Sequence, residues 1–103
     1  MKLIVSNHQL HKVLSSYLNS VVSGNVAYID NYIVVYYNDD EDSEVVMELD
    51  KNYGLSGSNR LFIDKPFINT FISLYPFSVK QGQEFIKEWF ENKFNITINY
   101  VAS

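Results

Sequence analysis

The chain has 103 residues, a mass of 12.0 kDa, a formal net charge of −4 and no cysteine. Hydrophobic residues make up 47% of it and aromatic residues 16%, which excludes a disordered chain, while four glycines and two prolines exclude a collagen-like or linker-like one. Without cysteine there is no disulfide framework, no thiolate-held zinc or iron–sulfur centre and no redox thiol, so the expected object is one core-stabilised globular domain spanning residues 1–103.

In chain order, Lys2–Val5 reads as a short strand, and Ser6 to Gln9 is a capping box that opens a helix at Asn7. Leu10, Val13, Leu14, Tyr17, Leu18 and Val21 recur at helical spacing and fill one face, and Gly24 is placed to close the helix. His8 and His11 lie three apart on its surface, but with no third histidine the pair falls short of a metal centre. Val26–Ile29 and Tyr32–Tyr37 are rich in β-branched and aromatic residues and flank Asp30-Asn31, a two-residue break that tolerates positive φ, so they form a tight hairpin.

Next comes the acidic part of the chain. Asp39, Asp40, Glu41, Asp42, Glu44, Glu48 and Asp50 put seven of the twelve acids into twelve residues with no base, leaving five acids against eight bases elsewhere. A calcium-binding EF-hand requires glycine at its sixth position, where Glu44 stands, so the run reads as a charged, solvated turn. Val45, Met47 and Leu49 then alternate with Glu44, Val46, Glu48 and Asp50, a half-buried strand with its acids outward.

Lys51–Arg60 is a polar loop with two glycines and no Gly-Lys-Ser/Thr ending, hence no nucleotide-phosphate cradle. After Leu61-Phe62-Ile63, Asp64 is placed as the N-cap of a helix carrying Pro66 in its first turn and ended by Pro76. Ser78 to Gln81 is a second capping box, opening a helix with Val79, Gly82, Phe85, Ile86, Trp89, Phe90 and Phe94 on one side and Asn95 at its end. Glycine on the apolar side implies close approach of another element. Ile96–Val101 alternates as a last strand. The order β-α-β-β-β-α-α-β predicts an α+β fold, an antiparallel sheet of a three-stranded meander and short terminal strands packed with three helices.

Function is argued from surfaces, because no serine sits in a G-x-S-x-G elbow and nothing marks a catalytic, cofactor or metal site. With Val26, Tyr28, Ile33, Val35, Val45, Met47 and Leu49 turned to the core, the other side of the meander carries Ala27, Ile29, Tyr32, Val34, Tyr36 and Val46, too apolar for a wet surface. Either a helix covers them or they form a tyrosine-rich contact surface. The leading expectation is a non-enzymatic interaction or structural protein that binds a protein partner or itself through Ile29, Tyr32, Val34, Tyr36 and Val46. An alternative is an acidic inhibitor whose Asp39, Asp40, Glu41, Asp42 and Glu44 occupy a basic nucleic-acid-binding site on another protein. A third is a small helix-turn-helix DNA-binding regulator using residues 66–94, against which Glu84, Glu88 and Glu91 speak by repelling phosphates. A nucleic acid is therefore not the expected partner, and no membrane, small-molecule substrate or cofactor is indicated. The short apolar start lacks the core of an export signal, which suggests the cytoplasm. One arginine beside seven lysines, with abundant Asn, Ile, Tyr and Phe, suits an AT-rich gene such as a virus, a phage or an AT-rich bacterium carries, and for a viral gene the place would be the host cytoplasm or the virion.

Overall fold

The computed structural model describes residues 7–37, 44–54, 57–74 and 77–103, with backbone only at 7–11, 23–25 and 53. The strand expected at Lys2–Val5, the acids Asp39–Asp42 and the helix-ending Pro76 lie outside the described residues. The elements run α1 (Asn7–Val21), β1 (Val22–Ile29), β2 (Tyr32–Tyr37), β3 (Val45–Tyr53), β4 (Ser58–Ile63), α2 (Lys65–Ser73), α3 (Val79–Phe94) and β5 (Tyr100–Ala102). They form an α+β fold with one five-stranded sheet in the order β1-β2-β3-β4-β5. The first four strands are an antiparallel meander, and β5 joins parallel to β4 after the two helices.

Local chemistry explains the boundaries. Asp30 takes the left-handed conformation (φ 51°) that turns β1 into β2, as its place in a two-residue hairpin requires. In the box that opens α3, the Gln81 N–H donates to the Ser78 hydroxyl (3.1 Å) and the Ser78 N–H to Gln81 Oε1 (2.8 Å). Asn95 ends that helix in the left-handed conformation (φ 53°), and the Ile98 N–H donates to Glu91 Oε2 (2.8 Å), turning the chain towards β5. Asp64 precedes α2 as its N-cap residue, but its side chain makes no capping bond.

All three helices lie on one face of the sheet. Leu14 and Leu18 of α1, Phe67, Ile68 and Phe71 of α2, and Ile86, Trp89 and Phe90 of α3 share one core with Ile33, Val35, Val46, Met47, Leu49, Leu61 and Ile63. Gly82 is where α2 and α3 touch: a Cβ there would stand 2.5 Å from Ile72 Cγ2 and 3.3 Å from Ile68 Cδ1. Trp89 Nε1 donates to Asn19 Oδ1 (3.2 Å), joining α3 to α1.

Five expectations are corrected. Val46 is wholly buried in the helix-side core and Val45 is 39% exposed, the reverse of the alternation read from the sequence. The cause is a β-bulge: Val35 pairs with Met47 but Tyr36 with Val45, so β3 carries one extra residue and every side chain beyond it changes face. Lys51–Arg60 is not one loop, since β3 runs to Tyr53 and β4 starts at Ser58 with Gly54 and Gly57 at positive φ between them. Gly24 does not end α1 but lies inside β1, where two extra residues interrupt the register between Val22 and Val26. Tyr28 and Val79 are exposed, Tyr28 at the outer end of the edge strand and Val79 in the first turn of α3.

Candidate functional site

Because successive residues of a strand point to opposite faces, the register fixes what stands on the side of the sheet away from the helices. One cross-strand row reads Ala27, Val34, Glu48, Phe62 and Ala102, and the next Ile29, Tyr32, Asp50, Arg60 and Tyr100. Tyr36 and Val45 pair beyond them. Among the described residues no element covers this face. Ile29 is 52% exposed, Tyr32 37%, Phe62 45% and Tyr100 54%. Val34, flanked by Tyr32 and Tyr36, is buried without joining the helix-side core.

The charges on this face are set among its aromatics. Asp50 and Arg60 are directly opposed on β3 and β4. The Asn52 N–H donates to Asp50 Oδ1 (3.0 Å), and the Arg60 guanidinium carbon lies 5.7 Å from the Phe62 ring centroid, a cation–π contact. Tyr32, Glu48, Asp50, Arg60 and Phe62 together line a shallow depression of about 380 Å³. Exposed aromatics on a sheet can stack bases, but Glu48 and Asp50 place two carboxylates where phosphates would come. Apolar and aromatic area with a few fixed charges is the make-up of a protein-recognition surface.

Of the residues singled out by sequence, Ile29, Tyr32, Val34 and Tyr36 come together on this face, while Val46 is in the core. Asp39, Asp40, Glu41 and Asp42 lie outside the described residues. Glu44 is exposed, and its carbonyl accepts from the Tyr37 N–H (2.9 Å). The sequence reading missed Val45, Arg60, Phe62 and Tyr100. The alternation of Arg60-Leu61-Phe62-Ile63 signals Arg60 and Phe62 but is obscured by assigning Arg60 to a loop, whereas the face of Val45 is set by the bulge.

Elsewhere, Tyr37 points to the helix side, its ring edge-on to Phe67 and its hydroxyl donating to Asp64 Oδ2 (3.5 Å). Burial, with the Asp64 carboxylate beside it, pushes that hydroxyl up to about 12. A larger concavity of about 660 Å³ runs along the start of α3, lined by Ser78, Lys80, Gln81, Glu84, Phe85 and Glu88. Among the described residues no three His, Asp or Glu side chains gather as a metal site, and no helix is long and apolar enough to cross a membrane. No protein-family model matches this sequence, and no curated protein and no solved structure matches it either.

Proposed function

We propose that this protein is a non-enzymatic interaction module that docks another polypeptide on the open face of its sheet. The observation that carries the reading is the set of exposed apolar and aromatic side chains, Ile29, Tyr32, Val45, Phe62 and Tyr100, spread over the face of the sheet that no helix among the described residues covers. An antiparallel sheet leaves one face to water when that face is polar; here it is not, and an exposed apolar patch of this kind marks a contact surface on soluble proteins. Tyrosine and phenylalanine supply large contact area with few rotatable bonds, and Glu48, Asp50 and Arg60 supply orientation.

The test is a double substitution on this face, Tyr32→Glu with Phe62→Glu, in the full chain. Both side chains are exposed, so the variant keeps its circular dichroism spectrum and unfolds with a transition close to that of the parent. The reading expects it to lose the protein that co-purifies with the parent chain, or the parent's self-association. A folded variant with unchanged solution mass and unchanged co-purification overturns the reading.

A further inference from the structure

We propose that the occupant of the open face is a second copy of this chain, packed face to face about a two-fold axis that runs along the strands between β3 and β4. The inference rests on the docking reading above and adds to it the pattern of charge. Asp50 and Arg60 stand side by side across the line between β3 and β4, with Tyr32 beyond the acid and Tyr100 beyond the base in the same row.

A two-fold axis that stacks one sheet on its copy lies in the plane between them, and for aligned strands it runs either along the strands or across them. Along the strands, the axis exchanges left and right, so β3 faces the partner's β4. Asp50 then meets the partner's Arg60, Arg60 meets the partner's Asp50, and Tyr32 meets the partner's Tyr100. Across the strands, each strand faces its own copy, and Glu48 and Asp50 gather with the partner's Glu48 and Asp50 into a cluster of four carboxylates. Like charges in contact repel and opposite ones attract, so the charges select the first arrangement.

The sheet edges do not offer a rival route. At one edge β1 carries two extra residues that break its register, and at the other β5 is three residues long, so neither is a flat, regular template for strand addition. Five strands spaced ~4.8 Å apart, with about 20 Å of strand facing outward, give a two-sided buried area on the order of 1,000 Å², the lower bound for a specific interface. An interface of that size is that of a reversible, transient dimer.

The experiment is sedimentation velocity over a concentration series of the full chain, with variants that reverse one charge, the other, or both. The parent shifts from monomer to dimer as concentration rises. Asp50→Arg alone and Arg60→Asp alone each raise the dissociation constant at least tenfold. An equimolar mixture of the two single variants regains dimer, because each supplies the charge the other lacks, and so does the double variant D50R/R60D on one chain. The mixture guards against a merely damaged monomer, since a fold lost in a single variant is not regained by mixing, whereas the double variant restores the Asp50–Arg60 neighbours within each chain as well. A parent chain that stays monomeric to millimolar concentration overturns the proposal, while the docking reading is judged separately by Tyr32→Glu with Phe62→Glu. No recovery of dimer in the mixture, whatever the double variant does, or single variants that dimerise like the parent, also overturns it.

Discussion

Adjacent valines on β3 offer a test that depends on the bulge alone. Val46→Ala removes two methyl groups from a site with no solvent exposure. Transfer costs about 0.8 kcal/mol per buried carbon, and incomplete collapse of the site adds a cavity cost, for a total of about 2–3 kcal/mol. Val45→Ala makes the same change at a site 39% exposed on the uncovered face, and should cost less than about 1 kcal/mol. Urea unfolding with a common slope reads the difference as a shift in midpoint, and in thermal unfolding the Val46 variant melts roughly 10 °C or more below the parent. A sharper pair is Val46→Asp, which should prevent folding, and Val45→Asp, which should not. Equal losses, or a larger loss at Val45, would refute the bulge and return Val46 to the outer face.

Gly82→Ala trades a helix-propensity gain of about 1 kcal/mol for overpacking against Ile72 Cγ2, a stiff β-branched methyl that cannot swing away, and should destabilise by about 1–2 kcal/mol. Combining it with Ile72→Ala should recover part of that loss in a double-mutant cycle, and simple additivity would contradict the close approach. Ser78→Ala removes the hydroxyl that accepts from the Gln81 N–H and should cost about 1 kcal/mol by denaturant unfolding, against no change if the box is idle. Tyr37 binds its proton more tightly folded (about 12) than unfolded (10.0), so its contribution is complete below pH 10 and is lost as pH rises from about 10 to 12. Tyr37→Phe should remove the part of the ultraviolet tyrosinate titration of the folded protein centred at about pH 12, and a parent curve complete by about pH 11 would contradict the assignment.

Elements marked by local chemistry were legible in the sequence. The Ser78–Gln81 box, Asn95 and the Asp30 turn each satisfy backbone groups or a positive φ within a few residues, so their meaning does not depend on the rest of the fold. Gly82 was legible for a different reason, since a glycine on an apolar helix face has few uses other than close packing. What escaped depends on partners distant in sequence. Nothing within Val45-Val46-Met47 tells which valine turns inward; the pairing of Tyr36 with Val45 decides it. Asn59 reads as loop until Asn99 and Thr97 are beside it: its N–H donates to Asn99 Oδ1 (2.9 Å) and its side-chain amide to the Thr97 carbonyl (2.7 Å), holding β4 to the approach of β5. The open face was therefore half legible: Ile29, Tyr32, Val34 and Tyr36 follow from alternation in one hairpin, whereas Arg60, Phe62 and Tyr100 join them only through the register of β3, β4 and β5.

The central claim, that this face is open in the free chain and closed in its complex, is tested most directly by hydroxyl-radical footprinting read residue by residue. In dilute monomer, Tyr32, Phe62 and Tyr100 should be oxidised readily while Phe71 and Phe90 in the core are protected, and in the associated state the first three should become protected as well. Protection of Tyr32, Phe62 and Tyr100 already in the dilute monomer, or their continued oxidation in the associated state, would contradict the account.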